Sequence, residues 1–242
     1  MARIFKIVFF PLGLFVFSIL YFIFSVIQLL VLLCLPSQKI KSVYTQLDLK
    51  EENKRIESIR PFIQAGENIL DIGAGSGRFG KKVSEALSVN VTGVDVCDYS
   101  DHSIPFYVYD GKKLPFSDQS FDTVFFAFVL HHVKDQEILL REACRVARKK
   151  IVIFEDTYEY FFEKYFTGWN DYHTNIFQGW IKFKKGFFKS SPSEMPMPLT
   201  FRSVQGWSHF FKKFPVKVLS SEVRKMGYKP LKKVTFYLEI SL

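Results

Sequence analysis

Cysteine is scarce in this chain: Cys34, Cys97 and Cys144 lie far apart among 242 residues. Three dispersed thiols exclude a disulfide framework and a cysteine-rich zinc site, and they suit a reducing compartment. Glycine and proline, 13 and 10 residues, are too few for a collagen-like or low-complexity chain. With 48% apolar and 24% charged residues, the whole chain is not a disordered one. No internal repeat is visible, and the length allows one large or two small domains at roughly 150 residues each. Acidic residues thin out toward the C-terminus. Residues 1–160 carry 19 basic and 19 acidic side chains, whereas residues 161–242 carry 14 and 5, so the net charge of +9 belongs to the last third. Phenylalanine is abundant at 28 residues, from codon bias or from a membrane-related role.

Charge is also missing from Ile7 to Gln38. Pro11 would break a helix interior, so the pattern predicts a spanning helix over Leu12–Leu35, about 36 Å long at ~1.5 Å per residue, against a hydrocarbon core of ~30 Å. A secretory signal has a shorter apolar core and a small-residue cleavage site, which Leu32-Leu33-Cys34-Leu35-Pro36 lacks. Lys39, Lys41, Lys50, Lys54, Arg55 and Arg60 outnumber Arg3 and Lys6, predicting a single-pass membrane protein with its body in the cytoplasm. The expected organisation is an anchor over residues 1–38 and one domain over 39–242.

Beyond the anchor, Val43, Leu47, Leu49, Ile56, Ile59 and Ile63 predict an amphipathic helix over 43–64. Strands are expected at Asn68–Ile72, Val89–Val96, Pro105–Tyr109, Phe121–Phe128 and Ile151–Glu155, and helices at Arg78–Leu87 and Asp135–Arg148. This alternation predicts an α/β fold: a Rossmann-like, doubly wound, mostly parallel sheet of seven strands with helices on both faces, preceded by the transmembrane helix. Tyr158–Phe188 reads as aromatic-rich and partly helical, Ser190–Pro198 as a loop and Arg202–Lys213 as a helix. Val216–Val223 and Val234–Ile240 read as an antiparallel pair ending the sheet.

The segment Ile69-Leu70-Asp71-Ile72-Gly73-Ala74-Gly75-Ser76-Gly77-Arg78-Phe79-Gly80 falls at a strand-to-helix turn. Glycines there let a ligand approach the backbone and the following helix N-terminus. Gly75-x-Gly77-x-x-Gly80 with Asp95 downstream formally fits a dinucleotide site, and hence an NAD-dependent oxidoreductase. The glycines begin at Gly73, however, directly after a strand carrying Asp71, and an acid there suits a cationic or amine-bearing ligand and opposes a pyrophosphate. Further on come Asp110, Leu114-Pro115-Phe116, Ser120-Phe121-Asp122-Thr123-Val124, Leu130-His131-His132-Val133 and Leu139-x-x-Glu142-x-x-Arg145-Val146. In this order and spacing, residues 45–160 resemble the class I S-adenosylmethionine-dependent methyltransferases, in particular the small-molecule branch with the ubiquinone and menaquinone C-methyltransferases. The resemblance implies S-adenosyl-L-methionine as cofactor, with Asp71, Gly73, Gly75 and Gly77 near its methionine moiety, Asp95 on the ribose hydroxyls, and Asp110 with Gly111 at the adenine. Ala74, Val96 and Phe126 complete the expected cofactor-binding set. The chain departs from the family where a Lys-Pro-Gly-Gly-like turn is usual and Arg145-Val146-Ala147-Arg148-Lys149-Lys150 stands instead.

Methyl transfer from a sulfonium needs mainly alignment, and an acidic acceptor needs a base as well. His131 and His132 at the end of the fourth strand, Asp156 at the end of the fifth and His173 are the candidates; Asp156 also suits a helix cap. The histidines lack an i, i+4 partner, so no metal is expected. Trp180–Lys189 and Phe210–Phe214 interleave aromatics with lysines. That pattern suits lipid headgroups, unpaired bases or an ordinary amphipathic element; next to an anchor, membrane contact is favoured over nucleic acid. The expected function is methyl transfer to a hydrophobic small molecule or lipid at the cytoplasmic membrane face. A non-catalytic membrane-bound adaptor with the same fold is the third alternative.

Overall fold

Eight strands form one mixed sheet in a computed structural model of the protein, which describes residues 19–184, 198, 200–226 and 231–241. They are β1 (Asn68–Ile72), β2 (Asn90–Asp95), β3 (Phe106–Val108), β4 (Phe121–Ala127), β5 (Ala147–Tyr158), β6 (Arg202–Ser203), β7 (Val216–Lys225) and β8 (Lys232–Ile240). The helices are α1 (residues 19–34), α2 (Ser37–Ile59), α3 (Arg78–Leu87), α4 (Gln136–Val146), α5 (Phe161–Tyr172), α6 (Gly179–Lys184) and α7 (Val204–Phe211). The strand order is β3-β2-β1-β4-β5-β8-β7, with β6 beside β5. Strands β1 to β5 pair in parallel, and β8 runs antiparallel to both β5 and β7. The chain thus winds outward from β1 through β2 to β3, then returns to β4 on the other side. The crevice beyond the carboxyl ends of β1 and β4 is the topological switch point, where ligands bind in open α/β sheets.

Two units make up the chain. The first, Asp48–Asp171 with Glu194–Leu242, contains the sheet. Its central strands are apolar on both faces because helices cover both. Leu70, Ile72, Val124 and Phe126 pack on one face with Leu139 and Leu140 of α4 and with Trp207, Phe210 and Phe211 of α7. Ile69, Phe125, Val152 and Phe154 pack on the other with Val83 and Leu87 of α3 and with Ile56 and Ile59 of α2. Each such side chain contributes roughly 1.5–3 kcal/mol through burial. Two-residue alternation along β1 puts Asp71 on the α3 face, beside Ile69.

In the second unit, Met1–Leu47 with Tyr172–Ser193, Leu32 and Ile181 are buried together with Leu29 and Leu35 packed around them. Among the described residues, no helix is long and apolar enough to cross a membrane. The described part of the expected span is helical over residues 19–34, about 24 Å at ~1.5 Å per residue. A bend at Leu35 and Pro36 then hands the chain to the polar α2. The single-pass anchor, and the membrane location and cytoplasmic orientation drawn from it, are therefore overturned: the described helix is shorter than a hydrocarbon core of ~30 Å. Residues 1–18 lie outside the described residues.

Other differences are local. The sheet has eight strands rather than seven, because the start of the expected helix over Arg202–Lys213 pairs with β5 as β6. Strand β5 begins at Ala147, immediately after α4, so the missing Lys-Pro-Gly-Gly turn leaves no loop at all. The amphipathic helix begins earlier than expected, at Ser37, and ends in a 3-10 turn, Arg60–Phe62, where Pro61 intervenes. Phe210, Phe211 and Phe214 are core residues, so this basic aromatic segment offers no aromatic face to lipid or bases. The other such segment is described only to Lys184, and of the Ser190–Pro198 loop only Pro198 is described.

Candidate functional site

Ile72 lies level with Val94 on β2 and Phe126 on β4, so the residues just beyond these three reach one rim. The loop after β1 is tied there by Gly73 N–H and Ala74 N–H to the Val94 carbonyl, at 2.8 and 3.2 Å. Gly73 has φ +73°, and a Cβ on it would stand 2.4 Å from Val129 Cγ2, so only glycine lets this loop and the segment after β4 approach each other. Gly75, φ +55°, has nothing within 4 Å of where its Cβ would stand, and its N–H donates to Asp95 Oδ2 at 2.9 Å. Gly77 closes the loop as the left-handed residue preceding α3.

Asp71 is 1% exposed, and its Oδ1 has no hydrogen-bond partner. Burial pushes its carboxyl well above the usual carboxylate range; the charge of Asp95 adds to this, while the Arg55 guanidinium pulls the other way. Arg55 itself stacks 4.5 Å from the centroid of Phe79 and 5.3 Å from that of Phe128. Asp95 Oδ1 accepts from Val96 N–H at 2.7 Å. Burial raises the Asp95 carboxyl, opposed by the backbone N–H groups of Gly75, Val96 and Cys97. An unpartnered buried carboxylate beside an open glycine turn fits a ligand bearing an amine or sulfonium. The remaining expected contacts differ among themselves. Phe126 is wholly buried in the core, so its side chain faces away from the rim. Val96 is exposed, and Asp110 spends Oδ1 on the N–H groups of Lys112 and Lys113, at 2.8 and 3.0 Å, next to Gly111 at φ +77°. These bonds hold the exposed Asp110 carboxyl below its usual range.

On the opposite side of the switch point, Leu130–His132 forms a 3-10 turn. Glu155, fully buried on β5, receives Leu130 N–H at 2.7 Å on one oxygen and His131 Nδ1 at 2.5 Å on the other. Gln136 donates to the Leu130 carbonyl at 2.8 Å, Thr200 donates to the His131 carbonyl at 3.1 Å, and Phe201 stacks on the His131 ring at 4.7 Å. Asp171, near the end of α5, brings Oδ1 to 3.5 Å from His131 Nε2 and 3.9 Å from His132 Nε2. Burial alone would lower the His131 imidazole, but Glu155 and Asp171 outweigh it and hold it well above its ordinary value.

The structure thus brings His131 and His132 together. His173 lies in the other unit, where Nε2–H donates to the Ser25 carbonyl at 3.1 Å and Nδ1 accepts from Gln178 at 3.2 Å. Asp156 does not cap α5; Glu163 does, accepting the N–H groups of Glu159 and Tyr160 at 2.7 and 3.2 Å. Sequence reasoning missed Arg55, Glu155 and Asp171. Arg55 counted among the basic residues that follow the uncharged run, and Asp171 is forty positions from His131. Glu155 had a signal: in Glu155-Asp156 on a strand, one acid must face each side of the sheet.

Comparison with known proteins agrees with this arrangement. Residues 70–154 match the family described as a methyltransferase domain. The 27-O-demethylrifamycin SV methyltransferase of Amycolatopsis mediterranei is 32% identical over 99 residues, which is 36% of each chain. The demethylmenaquinone methyltransferase of Streptomyces griseus is 34% identical over 101 residues, 37% of this chain and 42% of that one. The chain therefore spans well under half the length of these curated relatives. A SAM-dependent methyltransferase from Aquifex aeolicus shares the fold, with a TM-score of 0.55 and 18% identity over 85% of this chain and 99% of that one. Residues 70–154 thus resemble the class I S-adenosylmethionine-dependent methyltransferases, the ubiquinone and menaquinone C-methyltransferases among them, and that resemblance implies S-adenosylmethionine as the cofactor.

Proposed function

We propose that the protein methylates a hydrophobic small molecule whose accepting atom is an acidic oxygen or carbon. S-adenosylmethionine supplies an already activated methyl group, so the chain's own task is to hold, orient and exclude water. In this reading Asp71 takes the cationic end of the methionine moiety, with Arg55 near enough to balance its charge. Asp95 keeps lone pairs for the ribose, since each of its oxygens accepts a backbone N–H and a carboxylate offers about four acceptor sites. The turn Leu130–His132 takes the acceptor side, across the switch point from the glycine loop. Relatives named for menaquinone and rifamycin precursors support a hydrophobic acceptor.

The observation that carries this reading is the buried, unpartnered Asp71 Oδ1 beside the open turn at Gly75. Calorimetry with S-adenosylhomocysteine and with NAD tests the cofactor half, and saturable binding of the first alone is expected. Incubation with radiolabelled S-adenosylmethionine and an organic extract of the host tests the acceptor half. Label in the extractable small-molecule fraction is expected; label only in protein or RNA overturns it.

A further inference from the structure

Outside the cofactor loop, the described residues hold one group of side chains suited to a metal ion, His131, His132 and Asp171, whose donor atoms all lie within 4.8 Å of one another. Two ligands held about 2.1 Å from one ion in tetrahedral geometry stand about 3.4 Å apart. The observed 3.5 Å from His131 Nε2 to Asp171 Oδ1 matches that separation, and the 3.9 Å from His132 Nε2 is slightly wider. The second ring nitrogen of His131 is already engaged. A carboxylate accepts only, so Nδ1 carries the proton donated to Glu155, which aims the Nε2 edge at Asp171. That Nε2 is buried, on a side chain 1% exposed, and has no hydrogen-bond partner. A carboxylate on the far nitrogen of a ligating histidine is the recurrent second layer of metal sites: it fixes the ring and strengthens the donor. Two buried carboxylates, Glu155 and Asp171, face the paired imidazoles of His131 and His132.

We propose that His131, His132 and Asp171 bind a divalent transition-metal ion of the zinc type, with Glu155 orienting His131. Two imidazoles and one carboxylate favour such an ion over magnesium or calcium, which prefer all-oxygen shells. Three protein ligands leave a coordination position open, as in sites that bind a further oxygen ligand. The site lies at the carboxyl end of β4, across the switch point from the glycine loop. It does not depend on methyl transfer, and its test reads the metal directly.

Untagged full-length protein, stripped with a chelator and dialysed, is titrated with cobalt(II) and followed by visible absorption. Saturable uptake of about one equivalent is expected, with intense ligand-field bands of low coordination number. His132→Ala and Asp171→Asn should each abolish the bands. Glu155→Gln should weaken cobalt binding about 10- to 100-fold. Should a variant fail to fold, paramagnetically shifted imidazole protons in the wild-type cobalt protein count the rings without any substitution, and two are expected. No saturable uptake, uptake that survives both His132→Ala and Asp171→Asn, or a spectrum without imidazole ligands overturns the proposal.

Discussion

Where the parallel strands begin, buried charge is paired; where they end, polar atoms are left over. At the amino end, Glu67 accepts from Lys150 at 2.9 Å and from Thr123 at 2.8 Å. Asp122 accepts Asn68 N–H at 3.0 Å and is bridged by Arg148 and Lys149, each at 3.1 Å. Burial would raise the Asp122 carboxyl, but these partners hold it below its usual range. At the carboxyl end, Asp71 Oδ1 and His131 Nε2 are buried without a hydrogen bond, and Asp71 is raised. Satisfied groups at one end anchor the fold, and unsatisfied groups at the other store binding capacity for a ligand. Substitutions at the two ends should therefore have opposite signatures.

The largest effect is expected at the amino end. Lys150→Met leaves Glu67 buried with only the Thr123 hydroxyl, and breaking such a pair costs about 3–5 kcal/mol. The urea midpoint should fall accordingly, while S-adenosylhomocysteine affinity of the folded fraction stays at the wild-type value. Next is Gly73→Ala, expected to lose about 2–4 kcal/mol from the left-handed backbone and the collision with Val129 together. Adding Val129→Ala should recover the steric part only, which a double-mutant cycle in urea separates.

Asp71→Asn should behave the other way round. Unliganded stability is expected to hold or to rise by up to about 2 kcal/mol, because a buried carboxyl whose Oδ1 has no hydrogen-bond partner is replaced by a group that cannot ionise. Cofactor affinity should drop by about 1.5–3 kcal/mol, roughly 10- to 150-fold. The pH dependence follows from the directions of the two shifts. The folded Asp71 holds its proton above the ordinary value of about 3.9, so its contribution to stability is complete below that value and disappears as pH rises through the folded pKa. Asp122 is the reverse: its contribution is present above the ordinary value and lost as pH falls through the lowered one. Stability-versus-pH curves of Asp71→Asn and Asp122→Asn, each subtracted from wild type, should slope in opposite senses. Parallel curves would erase the distinction between the two ends.

The legible parts of the molecule were those governed by short-range pattern. Strand β1 and helix α3 have the expected bounds because Ile69, Leu70 and Ile72 make a short buried apolar stretch and because Gly80, Val83 and Leu87 recur at helical spacing. The glycine loop was legible for the same reason: Gly73 to Gly77 are local, and their positive φ values are a property of glycine itself. The acceptor side was only half legible. His131 and His132 stood out, but Glu155 and Asp171 reach them through sheet pairing and the return of α5, and no local spacing records either contact. The uncharged N-terminal run suggested a span because hydropathy records composition and not helix length; the described helix over residues 19–34 is too short to cross a hydrocarbon core.

Asp110 gives the smallest expected effect and the finest test of the comparison, because it lies just past the carboxyl end of β3 yet its Oδ1 is already engaged. Its carboxylate serves the N–H groups of Lys112 and Lys113, so its work is to shape the turn through Gly111. Asn can make the same side-chain-to-backbone bonds without the charge, and Ala cannot. If the turn is what matters, Asp110→Asn should leave S-adenosylhomocysteine affinity within about twofold, whereas Asp110→Ala should cost about 0.5–1 kcal/mol, roughly two- to fivefold. If Asn and Ala prove equally damaging, the charge itself meets the cofactor. Asp110 would then join Asp71 among the groups held in reserve for a ligand, and the boundary between the two ends would shift outward by one loop.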